Sequence, residues 1–209
     1  MRREKARRGI FVTFEGGEGI GKSTQIELLV KRLKKNGFSV LKTREPGGTR
    51  VGEILRKIHK NLKVTPLAEV LILEASRAEH VQTKILPALK KRMIVVSDRY
   101  EESSLAYQGI VRGLGLPLIR KANRFATGGL RADRIYLLDG KRRMTERRSK
   151  KDRFDHENAA FHKKVRMAYL RLARSDRRFY VLNADTDRLT LHEQIMDDLL
   201  TLIKKRRSK

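Results

Sequence analysis

Apolar positions along this 209-residue chain fall into two alternating patterns. Short, dense runs rich in β-branched and aromatic residues recur at Ile10–Phe14, Ser39–Thr43, Met93–Ser97, Arg134–Leu138 and Phe179–Leu182. Runs of this length and composition predict strands buried on both faces. Between them lie longer stretches with apolar residues every third or fourth position. These predict helices over about Thr24–Lys35, Pro66–Lys91, Ser103–Thr127, Asp155–Ala173 and Leu191–Lys205. In the first of them Ile26, Leu29, Val30 and Leu33 share one face. Strands alternating with helices predict an α/β fold, a three-layer, doubly wound parallel sheet of five strands. No Pro/Gly/Ser-rich linker and no internal repeat breaks the alternation. A single domain is therefore expected over residues 9–204, with basic tails at 1–8 and 205–209. In such sheets ligands gather at the carboxyl ends of the strands.

Composition narrows the class. The chain has no cysteine, which excludes disulfides and thiolate metal sites. It has no apolar run of the ~18 residues that a membrane helix needs. The leading MRREKARRG is basic but carries no apolar segment of the kind a secretory signal requires. A soluble, cytoplasmic protein is expected.

The charge is lopsided: 50 Lys and Arg against 24 Asp and Glu, a formal net charge of +26. Part of it is concentrated. Arg2, Arg3, Lys5, Arg7 and Arg8 open the chain, and Lys204, Lys205, Arg206, Arg207 and Lys209 close it. Lys141, Arg142, Arg143, Arg147, Arg148, Lys150, Lys151 and Arg153 form a third cluster. The terminal runs are most simply solvated, frayed ends, with non-specific polyanion contact as the alternative.

The most specific local signal is Gly16-Gly17-Glu18-Gly19-Ile20-Gly21-Lys22-Ser23-Thr24, which fits G-x-x-x-x-G-K-[ST]. It joins a predicted strand to a predicted helix, so backbone N–H groups and a helix N-terminus converge on one point. That is a cradle for a polyphosphate, and it predicts nucleoside triphosphate binding by residues 16–24.

Other candidates stand where the sheet rule places them. Arg44-Glu45-Pro46-Gly47-Gly48-Thr49 follows the second strand and reads either as a ligand loop or as an ordinary turn. Asp98-Arg99-Tyr100 follows the third strand. Asp98 is placed to serve a Mg2+ shell or a phosphoryl acceptor, and Arg99 to grip a phosphate, unless the two form a structural ion pair. Ser104, Tyr107 and Gln108 lie about one helical turn apart and could wall a base and sugar. Arg77, inside an otherwise apolar helix, must be paired or face a ligand if it is buried. The basic segment Arg142–Arg153, between a strand and a helix, suits a mobile lid over a transferring phosphoryl group, or else a solvated loop.

Together these motifs closely resemble the thymidylate kinase family, P-loop nucleoside monophosphate kinases that phosphorylate dTMP. The resemblance runs from about Gly9 to Leu202. It rests on FEGGEGIGKSTQ, REPGGT, SRAEHV, DRYEESSLAYQG followed by RGL, YLLD, and DRFDHENAAFHKKVRMAYLRLA, in that order. It implies a P-loop NTPase fold with a lid at about 141–154. It also implies ATP- and Mg2+-dependent transfer to dTMP, giving dTDP for dTTP synthesis, and commonly a homodimer. By resemblance, Glu18 contacts the nucleotide sugar, and Arg44, Arg77 and Arg99 anchor the acceptor phosphate. Ser104, Tyr107 and Gln108 line the thymidine site, and Asp98 positions metal or phosphate. Gly19 stands where some members place a catalytic arginine. Members with Gly there carry the catalytic basic residues in the lid, which Arg147, Arg148, Lys150 and Arg153 would supply. The chain departs from the family at Leu73, where thymine usually stacks on Phe, and at Glu74 and Ser76, which replace a small residue and an acid. Leu73 keeps open a kinase for another pyrimidine monophosphate, such as dUMP. A nucleic-acid-binding P-loop protein is the reading from another class, although no RNP-type or helix-turn-helix signature supports it.

Overall fold

A computed structural model describes residues 8–140 and 158–208. The strands are β1 (Ile10–Glu15), β2 (Val40–Arg44), β3 (Ile94–Asp98), β4 (Arg134–Asp139) and β5 (Phe179–Asn183). They form one parallel sheet in the order β2-β3-β1-β4-β5. All six residues of β1 are buried, because helices cover the central strand on both faces.

The helices are α1 (Lys22–Lys35), α2 (Arg50–Asn61), α3 (Pro66–His80), α4 (Glu101–Ser104), α5 (Leu116–Thr127), α6 (Ala159–Arg174) and α7 (Arg188–Arg207). α3 continues through a π-helical stretch, Val81–Ile85, into a last helical piece, Leu86–Lys90. α4 continues as a second π-helical stretch, Leu105–Val111. The period-two alternation of β1 sorts its side chains between two cores. Ile10, Val12 and Phe14 meet Ile26, Leu29 and Leu33 of α1 and Ile195 and Leu199 of α7. On the other face Phe11 packs with Val81, Ile85, Leu89 and Tyr100. A third cluster joins Leu137 of β4 to Tyr107, Ile119, Val165 and Tyr169. The α/β reading of the hydrophobic pattern is correct, and the five strands lie within a residue or so of the expected runs.

The pattern as read above places no helix at Arg50–Asn61, yet α2 forms there. Thr49 caps it by accepting from the Gly52 N–H at 2.9 Å. Its signal was Val51, Ile54, Leu55 and Ile58 at helical spacing. The single helix expected over Ser103–Thr127 is broken near Gly113 and Gly115. Both have positive φ, which glycine adopts without strain. The C-terminal tail is also more ordered than expected. Arg206 belongs to α7, donates to the Gly9 carbonyl at 2.9 Å and, with Arg8, pairs with buried Asp133. The ion pairs tie both chain ends to the base of the sheet.

Candidate active site

The chemistry converges at the carboxyl ends of β1, β2 and β3. Gly16 follows β1 at φ 134°, and a Cβ there would lie 2.5 Å from the Leu138 carbonyl oxygen, so only glycine fits. Gly21, at φ 98°, turns the chain into α1. The Lys22 ammonium donates to the carbonyls of Gly17 (2.6 Å) and Gly16 (3.2 Å). Burial, and next the charge of Arg99, push its pKa down. The loop and the first turn of α1 thus form a cradle of positive charge.

Ser23 Oγ donates to Asp98 Oδ2 at 3.4 Å, joining α1 to the end of β3. Asp98 Oδ1 is buried and has no hydrogen-bond partner among the described residues. An orphaned carboxylate oxygen beside a hydroxyl and a phosphate cradle fits Mg2+, which takes few protein ligands and borrows the rest from phosphate and water. No group of three His, Asp or Glu side chains suited to a metal ion exists among the described residues.

Arg99 takes φ 72°, a left-handed backbone conformation that costs a residue other than glycine of order 1–3 kcal/mol. Its neighbours hold it there. The Arg99 N–H donates to the Phe14 carbonyl, and its carbonyl accepts from Ser97 Oγ. Its guanidinium donates to Ser103, Tyr169 and Glu18 and lies over the Tyr107 ring. Glu15, fully buried beneath it, accepts from the Tyr100 N–H and from Ser103 and Tyr169 hydroxyls. Burial raises the Glu15 pKa, against the pull of Arg99.

Arg77 is 3% exposed, which removes the solvent-facing alternative. Nε donates to Glu45, Nη1 to Glu74 and Asn123, and Nη2 to the Tyr100 carbonyl and Ser104 Oγ. A guanidinium has five N–H groups, and all five are engaged. Arg77 can take a phosphate only by surrendering a partner. Burial pulls the Glu45 pKa up, but Arg77 and then His80 outweigh it and leave it below the usual range. Glu74 is instead raised by burial.

These groups surround one cavity of about 530 Å3. Its walls include Glu18 to Gln25, Arg44, Glu45, Leu73, Arg77, Asp98 to Tyr100, Ser104, Tyr107 and Gln108. Thus the phosphate loop from Glu18 onward and every predicted acceptor residue face the same space. Arg44 reaches it while forking onto Glu53 at 2.9 Å. Tyr107 and Gln108 reach it from the π-helical stretch after α4, an irregularity often found at functional sites. Arg147, Arg148 and Arg153, and the lid expected around them, lie outside the described residues.

Sequence reasoning did not single out Glu15, Glu45, Glu69 or Asn123 as site residues, nor Arg56 and His59 of α2, which line the cavity. Glu15 and Glu45 had one available signal, an acid at the carboxyl end of a predicted strand.

A family profile described as thymidylate kinase matches residues 14–195. The chain belongs to the thymidylate kinase family. It is 43% identical over 197 residues to the thymidylate kinase of Halothermothrix orenii, covering 90% of this chain and 95% of that one. It is 44% identical over 196 residues to that of Caldanaerobacter subterraneus subsp. tengcongensis, covering 90% and 94%. The crystal structure of thymidylate kinase from Ehrlichia chaffeensis is similar with a TM-score of 0.77 and 29% identity, covering 91% of this chain and 98% of that chain. The thymidylate kinase resemblance read from the motifs, and the fold it implies, are therefore correct.

Proposed function

We propose that this protein transfers the γ-phosphoryl group of ATP to dTMP, giving ADP and dTDP. The observation that carries the reading is the shared cavity. A triphosphate cradle at Lys22 and an acceptor wall at Arg77, Ser104 and Gln108 open onto one space, with Asp98 and Arg99 between them. In-line transfer needs that arrangement: an acceptor phosphate oxygen forms a bond to Pγ as the bond from Pγ to the bridging β,γ oxygen breaks.

In this reading residues 16–24 bind the ATP phosphates, and Lys22 neutralises charge on the migrating group. Ser23 and Asp98 would hold Mg2+, which would supply neutralisation of phosphate charge when bound. Arg99, with Arg44, holds the acceptor phosphate. Arg77 shapes the pocket between that phosphate and the base. Arg147, Arg148 and Arg153 act from the lid. Measuring ADP release with dTMP, dUMP, UMP, CMP and AMP tests the proposal. Preferred turnover of dTMP is expected, and a higher kcat/KM for any other nucleotide would overturn it. Leu73, on the cavity wall in place of an aromatic ring, keeps a kinase for another pyrimidine monophosphate, such as dUMP, as the second reading.

Two further features accompany the reading. α2, α3 and α5 pack side by side and expose Ile54, Leu71, Leu118 and, at 93%, Phe125. That surface suits a homodimer. No described helix is long and apolar enough to cross a membrane, and we place the reaction in the cytoplasm. Non-specific polyanion contact through the basic residues near the chain ends is part of the same proposal.

A further inference from the structure

Gln108 and Glu69 form a buried pair that no motif announces. Gln108 lies on the π-helical stretch after α4 and Glu69 in the first turn of α3, 39 residues away. They are 3% and 2% exposed. Gln108 Nε2 donates to Glu69 Oε1.

The chemistry of the partner fixes the amide's orientation. A carboxylate only accepts, so it can face the NH2 end of an amide but not the carbonyl end. Reversing Gln108 would set two acceptors against each other in a buried setting, where an unmade hydrogen bond is costly. With Nε2 held, Oε1 points the other way. It accepts no hydrogen bond among the described residues, and Gln108 lines the cavity. The pocket therefore meets its ligand with an acceptor of fixed direction.

We propose that Glu69 is a specificity-determining positioning residue: by holding Nε2 of Gln108, it presents Oε1 to a base that offers a ring N–H. This rests on the pyrimidine monophosphate kinase reading above. Thymine and uracil carry a hydrogen on N3, which Oε1 accepts. Cytosine in the same seat turns an N3 lone pair toward Oε1, so two acceptors meet. Glu69 is not on the cavity wall and reaches the base through Gln108. Its removal therefore changes ground-state selection of the base and leaves the transfer step alone.

The test is Glu69→Gln, assayed for kcat and KM with dTMP, dUMP and dCMP. A glutamine at 69 can face either end of the Gln108 amide, so the orientation is no longer imposed. KM for dTMP and for dUMP is expected to rise about tenfold with kcat within about twofold, since one directed hydrogen bond is lost. The kcat/KM ratio of dTMP to dCMP is expected to fall at least about tenfold. An exchange of roles, Glu69→Gln with Gln108→Glu, restores an acceptor facing the cavity and is expected to recover most of that discrimination. The exchanged protein also decides the matter if the single variant does not fold. Its discrimination within a few-fold of wild type supports the proposal, and its loss in a folded protein overturns it. An unchanged dTMP to dCMP ratio in folded Glu69→Gln overturns it as well. Failure of the wild-type protein to turn over dTMP would instead sink the proposed reaction, so the two failures are distinct.

Discussion

Arg77 and Glu45 form a buried ion pair, with Nε donating to Oε2 at 2.7 Å across 32 residues of sequence and both side chains 3% exposed. The pair joins α3 to the loop after β2 and belongs to a wider set. Glu45 also faces His80 Nδ1 at 3.0 Å, and His80 Nε2 contacts Thr43 Oγ1 at 2.6 Å. Gly48 closes over the same group, where a Cβ would come within 2.6 Å of His80 Nε2. The floor of the acceptor pocket is thus a densely paired polar core, and its energetics differ from those of the side chains that would meet phosphate above it.

That difference separates two arginines. Arg77→Met leaves Glu45 and Glu74 buried with a partner removed, which costs about 3–5 kcal/mol. Urea unfolding is expected to show a loss of that order. Arg99→Ala is expected to raise KM for dTMP far more than KM for ATP. Equal KM effects on both substrates would displace Arg99 from the acceptor phosphate.

Lys22→Met is expected to lower kcat by at least about a hundredfold, because the ammonium stabilises charge that develops in the transition state. Circular dichroism should remain that of the wild type. Activity within tenfold of wild type would remove Lys22 from the transfer step.

Leu73→Phe places a ring on the cavity wall where the family usually has one. If thymine packs there, KM for dTMP is expected to fall about two- to tenfold, the equivalent of 0.5–1.5 kcal/mol for an aromatic pair. The gain should be similar for dUMP, since stacking reads the face of the ring and not its methyl group. Assays belong at fixed ionic strength, because a protein of charge +26 attracts anions generally. Weaker dTMP binding would show that another side chain supplies the platform.

Glu102 is buried, and burial followed by neighbouring Glu101 holds its pKa well above the usual carboxyl range, against the pull of Arg178. Its Oε1 accepts from Arg178 at 2.9 Å, while Oε2 has no hydrogen-bond partner among the described residues. A raised folded pKa means that folding takes up a proton between the unfolded and folded values. The carboxyl's contribution to stability therefore declines as pH rises through that window. Glu102→Gln keeps an acceptor for Arg178 and does not titrate. Its Tm advantage over wild type is expected to grow as pH rises above about 4.5, the ordinary Glu value, and then to level off. A difference independent of pH would mean that the Glu102 pKa is the same in the folded and unfolded chain.

Phe125→Asp tests the apolar face of α2, α3 and α5. Light scattering is expected to show a dimer for wild type and a monomer for the variant. A wild-type monomer at micromolar concentration would overturn the dimer reading.

The alternation of β-branched runs with helical periodicity determined the α/β class, since each pattern reports only whether local faces are buried. The glycine, lysine and serine spacing of residues 16–24 likewise carried its meaning in the chain, because a phosphate loop is built from consecutive backbone groups. The Asp98-Arg99 dipeptide was legible as chemistry for a similar reason, as it ends a strand. What the tertiary structure decided were the pairings. Arg77 had to have partners once buried, but Glu45, Asn123 and Ser104 reach it only because the strand order β2-β3-β1 brings distant connections to one end of the sheet. Glu69 and Gln108 meet because α3 and the π-helical stretch after α4 turn their buried faces toward one another. Periodicity says that a polar side chain faces inward. Which distant group satisfies it depends on how the crossovers stack, and that is settled only when the layers close.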